Sequence, residues 1–121
     1  MTLEERWALV RSYLGKVVTI RIDRPIGTVH EKNGNRWTYP INYGYIPDVL
    51  GGDGEELDVY LLGVDTPVEQ YSARIIGIVY RDDDDEDKLI GAPVGKSFSV
   101  QEMEDAVRFQ ERFHRSRVSD Q

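Results

Sequence analysis

Apolar positions recur at helical spacing in only two stretches, one near each end of the chain. Leu3, Trp7, Val10 and Leu14 follow one another at intervals of three and four, and Gly15 stands where such a run would stop. Thr2 and Glu5 have the spacing of a capping box, so a helix is predicted within residues 1–15. Ser99 and Glu102 repeat that spacing ahead of Val100, Met103, Val107 and Phe113, which predicts a second helix over 99–115. Residues 116–121 carry neither pattern and are expected to fray.

The middle of the chain reads as strands. Val17–Ile22 alternates apolar and polar residues and runs into Arg24-Pro25. Thr28–His30 and Arg36–Tyr39 flank Asn33-Gly34, a hairpin signal. Tyr39 to Gly54 is rich in Pro, Gly, Tyr and Asn and is expected to be an ordered loop. Leu57–Leu62, Arg74–Tyr80 and Leu89–Ala92 are further β-rich apolar runs. With no repeat and no linker, residues 1–121 are expected to form a single domain. It would be mainly β with flanking helices, an α+β arrangement built on a small twisted barrel or sheet.

Composition narrows the function. Of 121 residues, 40% are hydrophobic and 31% charged, which suits a globular protein. The net charge of −7 works against a nucleic-acid partner unless a local basic patch forms. There is no cysteine, so disulfides, thiolate zinc sites and a cysteine nucleophile are excluded. No apolar run has the length of a membrane span, and the start of the chain is acidic, unlike a signal peptide. A cytoplasmic protein with no membrane partner is expected. Neither a Gly-x-Ser-x-Gly elbow nor a Walker-type phosphate loop is present.

The acidic residues gather in two clusters. In Gly52-Asp53-Gly54-Glu55-Glu56-Leu57-Asp58 the glycines let the backbone fold sharply, so that carboxylates can converge. Converging carboxylates repel and call for a cation, and Mg²⁺ is the hard ion that suits oxygen ligands. The alternative is an acidic turn solvated by water. Asp82 to Asp87, followed by Lys88, is either a solvated loop or a hairpin tip that completes the metal site, with Lys88 serving a phosphate oxygen. Tyr39-Pro40-Ile41-Asn42-Tyr43-Gly44-Tyr45 supplies core aromatics, or a rim tyrosine that donates to phosphate. His30 and His114 lie far apart and request no zinc site.

Taken in order, these segments resemble the soluble family I inorganic pyrophosphatases. The match runs roughly from Val17 to Phe113 and rests on Tyr39-Pro-Ile-Asn-Tyr-Gly-Tyr-Ile, Gly52-Asp-Gly-Glu-Glu-Leu-Asp-Val and Asp87-Lys-Leu-Ile with Pro93. The resemblance implies a twisted five-stranded OB-like barrel and hydrolysis of pyrophosphate with Mg²⁺, Mn²⁺ being an alternative. It implies metal ligation by Asp53, Asp58, Asp82, Asp87 and Asp23, with Glu86 in place of Asp87 if the lysine spacing is kept. Glu55 takes the place of the aspartate that acts as general base. Tyr43 and Lys88 fall at catalytic and phosphate-binding positions. Lys32 and Arg36, with His30, are the candidates for the phosphate-binding cations of a shortened segment. Phe113-His114 replaces a Tyr-Lys pair, leaving His114 as a phosphate contact. Because of these substitutions, another small phosphorylated substrate, or a phosphate-binding protein with weak turnover, is the alternative. Relatives commonly assemble, so a homo-oligomer is a further expectation.

Overall fold

Thr2 and Glu5 do close a capping box: the Thr2 hydroxyl accepts from the Glu5 N–H, and the Glu5 carboxylate accepts from the Thr2 N–H. This opens α1 (Leu3–Ser12) in the computed structural model, which describes residues 1–121. Ser99 and Glu102 do the same for the second helix, α2 (Val100–Glu111). Both helices are shorter than predicted. The chain turns through Gly15 at φ +82°, and Phe113 and His114 donate backwards to the Gln110 and Glu111 carbonyls in a tight turn. Leu3 is 48% exposed, so the buried stripe of α1 begins at Trp7 and Val10.

The strands are β1 (Val17–Arg24), β2 (Val29–Lys32), β3 (Asn35–Thr38), β4 (Asn42–Leu50), β5 (Glu56–Leu61), β6 (Gln70–Arg81), β7 (Lys88–Ala92) and β8 (Ser116–Ser119). Their order is β1-β4-β5-β7-β6, and β6 pairs back onto β1, which closes a five-stranded barrel. Only the β5–β7 pairing within this ring is parallel. The arrangement is the mainly β, OB-like barrel expected. β2 and β3 form a separate hairpin whose turn residues, Asn33 and Gly34, both have positive φ.

Two expectations are corrected. Tyr39–Gly54 is not a loop throughout, because Asn42–Leu50 pairs with both β1 and β5; an irregular register between Tyr45 and Leu50, with Asp48 at φ 64°, accommodates Pro47. Ser116–Ser119 is not frayed, because it adds to β6 as an outer strand.

Apolar side chains fill two cores. Ile20, Ile22, Val59, Leu61, Ile75 and Ile78 belong to the first, against which α1 packs Val10 and Trp7. Tyr39, Tyr43, Tyr60, Leu62, Met103 and Val107 form the second, beneath α2. The β5 run is therefore apolar on both faces because both are covered. Gly77 permits this close approach, since a Cβ there would lie 2.6 Å from the Met103 sulfur. No helix is long and apolar enough to cross a membrane.

Candidate active site

A cleft of about 310 Å³ opens where β4, β5 and the start of β7 meet the β2–β3 hairpin and the end of α2. One part of its lining is a hydrogen-bonded polar set. The Tyr43 hydroxyl donates to Asp58 Oδ2 at 2.8 Å, and Lys88 Nζ donates to the same oxygen at 2.8 Å and to Glu86 Oε1 at 2.9 Å. Cross-strand placement causes this: Tyr43 faces Tyr60 and Tyr45 faces Asp58 in the β4–β5 ladder, while β7 begins at Lys88 beside β5. The Lys88 side chain is only 3% exposed. Burial alone would lower its pKa, but the charges of Asp58 and Glu86 raise it, so the ammonium stays charged. Burial pushes the Glu86 carboxyl up to about 7 against the pull of Lys88, with a hydrogen bond that the protonated carboxyl donates to Asp53, and the Asp58 charge, adding to the rise. Burial and the Asp58 charge raise the Tyr43 phenol well above its usual value, which keeps it a donor.

Arg24 and Arg81 also line the cleft. Arg24 donates to the Tyr39 hydroxyl at 2.6 Å and lies 5.6 Å from the centres of both the Tyr39 and Tyr43 rings. Arg81 is held in a fork by Glu111, at 3.0 Å from Nε and 2.6 Å from Nη2, and its Nη1 reaches Asp84 at 3.0 Å. Glu111 also accepts from the Tyr60 hydroxyl at 2.5 Å.

The residues singled out from sequence divide into three groups. Tyr43, Asp58, Lys88, Lys32 and His114 all line the cleft. Asp53 and Asp23 stand near it: the Asp53 carboxyl reaches Glu86 and accepts from the Glu55 N–H, while burial first, and then the Asp58 charge, raise the Asp23 carboxyl. Glu55, Asp82, Asp87 and Arg36 do not line it. Glu55 and Asp82 are exposed, and Arg36 pairs with Glu31 on the open hairpin at 3.4 Å. Asp87 is turned into the protein, where it accepts from Arg6 at 3.0 Å and from the Arg81 backbone N–H at 3.0 Å. Glu86, rather than Asp87, is the acidic-run residue that faces Lys88. His114 Nδ1 lies 3.4 Å from Asp83.

The two acidic clusters do approach each other. A Cβ on Gly52 would sit 2.2 Å from the Asp85 carbonyl oxygen, so only glycine fits between the two loops. Arg6 packs at the same place, its Cγ 2.8 Å from that imagined Cβ, and thus ties α1 to both.

Sequence reasoning missed Arg24, Arg81 and Glu111. Arg24 faces Tyr43 only because β1 bulges at Asp23: Ile22 pairs with Gly44, and Arg24 with the next residue, Tyr43. An arginine opening an acidic run was a signal for Arg81. Nothing in a helix sequence announced that Glu111 would meet it.

The donor set suits a hard divalent ion. No three His, Asp or Glu side chains already form a cage, and the Lys88 ammonium supplies the positive charge between Asp58 and Glu86. Mg²⁺ needs no closed cage: it keeps several waters and binds through one or two carboxylates together with substrate phosphate. Asp58 and Glu86, both carboxylates open to the cleft, meet that requirement.

Residues 16–117 match the family model described as inorganic pyrophosphatase. The chain is 39% identical over 100 residues to an inorganic pyrophosphatase of Saccharolobus solfataricus, an alignment covering 74% of this chain and 54% of that protein. With an inorganic pyrophosphatase of Helicobacter pylori it shares 36% over 63 residues, covering 48% and 36% respectively. The chain thus spans about half, or less, of the length of these curated relatives. Among solved structures, an inorganic pyrophosphatase from Ehrlichia chaffeensis superimposes with a TM-score of 0.63 at 19% identity, covering 88% of this chain and 87% of that one. That likeness speaks for the fold.

Proposed function

We propose, from the premise that this chain belongs to the inorganic pyrophosphatase family, that it hydrolyses pyrophosphate to two phosphates with the help of Mg²⁺ or Mn²⁺. One observation carries the reading: Tyr43, Asp58, Lys88 and Glu86 form a single hydrogen-bonded cluster in a cleft that also holds Arg24 and Arg81. Asp58 and Glu86 hold the cation, and Asp53 supports Glu86. When bound, the ion supplies an acidified water and offsets phosphate charge. Arg24 and Lys88 bring cationic donors to phosphate oxygens, and Tyr43 brings a neutral one. Lys32 and His114 contact phosphate from the hairpin and from the end of α2. Glu55 accepts the proton of the attacking water from the rim. Asp87 anchors the loop through Arg6 and is not assigned to the metal.

A second reading, a phosphate-ligand binding protein with weak turnover, is favoured by the exposed position of Glu55 outside the lining. Phosphate release from pyrophosphate in Mg²⁺ decides between them. The hydrolase reading expects turnover that Asp58→Asn lowers by about tenfold to a hundredfold. Calorimetric binding of pyrophosphate without release supports the second reading, and unchanged turnover in Asp58→Asn rejects the site.

A further inference from the structure

Pyrophosphate is two phosphoryl groups: it offers charge and oxygen but no apolar surface. The cleft offers more than that. His30 and Trp37 face each other across the β2–β3 ladder, as do Lys32 and Asn35, and all four line the cleft. The His30 and Trp37 rings meet edge to face at 5.0 Å, and Trp37 meets Phe113, at the end of α2, at 4.9 Å. Phe113 is still 37% exposed. Aromatic side chains bordering a cleft are a ready surface for a planar ring, because stacking needs only another π face. One buried polar atom here also lacks a partner. Trp37 Nε1 is shielded from water and hydrogen-bonded to nothing, whereas the buried His114 Nδ1 faces the Asp83 carboxylate at 3.4 Å. An orphan of this kind is rare, and Trp37 lines the cleft.

We propose that the cleft takes a phosphoric anhydride carrying a planar heteroaromatic group, a nucleoside 5′-diphosphate, with its ring against Trp37 and Phe113 and its phosphates toward Arg24, Tyr43 and Lys88. The inference rests on the hydrolase reading of the same cleft. In the reaction the water oxygen bonds to the terminal phosphorus and the bridging P–O bond breaks. Phosphate and a nucleoside monophosphate leave, and the proton lost by water passes to Glu55 and from there to solvent.

The test measures phosphate release in Mg²⁺ from adenosine 5′-diphosphate, methyl diphosphate and pyrophosphate. The expected kcat/KM for adenosine diphosphate exceeds that for methyl diphosphate by about tenfold. Trp37→Leu should bring that ratio close to one, and Trp37→Phe should keep most of it. If Trp37→Leu does not fold, Phe113→Leu takes its place. Equal turnover of the two esters, or a ratio that survives the leucine variants, overturns the inference. So does release from pyrophosphate alone, which leaves the hydrolase reading standing. No release from any of the three rejects the hydrolase reading. Calorimetry then decides the ring site: tighter binding of adenosine diphosphate than of methyl diphosphate supports it, and equal or absent binding overturns it.

Discussion

Arg81 and Glu111 bind as a fork with side chains only 3% and 5% exposed. Removing one partner strands the other charge in a poorly solvated place, at a cost of about 3–5 kcal/mol. Glu111→Gln should therefore lower the melting temperature by roughly 10 °C or more. The effect should depend on pH. Burial would raise the Glu111 carboxyl, but hydrogen bonds and charge from Arg81, with the Tyr60 hydroxyl, outweigh it and hold the group below the usual carboxylate range. A folded value below the unfolded one gives stability that is complete above the ordinary carboxylate range and drains away as pH falls through the folded value. Melting curves of the wild type and Glu111→Gln should accordingly converge as pH falls from neutral to below the ordinary carboxylate range. Equal separation across that range would show that the pair contributes nothing through ionisation. Glu55 makes the opposite prediction. Because its side chain is exposed and does not line the cleft, Glu55→Gln should lower kcat less than Asp58→Asn does. At this scale the motif made Tyr43, Asp58 and Lys88 legible. Arg24 was hidden, since a single extra residue in β1 decides what faces Tyr43.

Elements bring these side chains within reach. The β4–β5 turn and the β6–β7 hairpin touch at Gly52 and Asp85, with Arg6 of α1 wedged beside them. Gly52→Ala should push the loops apart, and displacement of about 1 Å is enough to reduce turnover by about a hundredfold. Circular dichroism should remain that of the wild type, because no barrel strand is altered. Ser99→Ala should instead cost about 1 kcal/mol of stability and leave pyrophosphate affinity unchanged, since the cap lies at the end of α2 remote from Phe113. Local signals made both helix starts and the Asn33-Gly34 turn readable, for each is decided within four residues. β4 and β8 were not readable, because their regularity comes from partners distant in sequence. Tyr45 pairs with Arg21 and Asp58, and Val118 pairs with Val79.

For the molecule as a whole, barrel closure makes the site a product of long-range pairing. β1 joins β6 between Val17 and Arg74, and β5 lies parallel to β7, so no pair of neighbouring segments contains the cleft by itself. Sequence patterning could indicate a twisted β barrel with two helices, but not how far each strand runs or which charged residues turn inward. Asp87, expected from the sequence as a ligand, accepts from Arg6 in the structure, whereas Glu86 beside it faces Lys88. Under the proposed function, removing divalent ions with a chelator should abolish phosphate release while the fold persists, because Lys88 already balances Asp58 and Glu86. Added Mg²⁺ should restore it. Unfolding on chelation, followed by circular dichroism, would contradict that expectation.

The carboxylate that Arg6 grips follows it by 81 positions, and Arg81 is separated from Glu111 by a further 30. A nascent chain therefore cannot complete its cleft from the front. Synthesis must pass Glu111 before both ties can form, so the cleft should be completed abruptly once that residue has emerged rather than grow with the polypeptide.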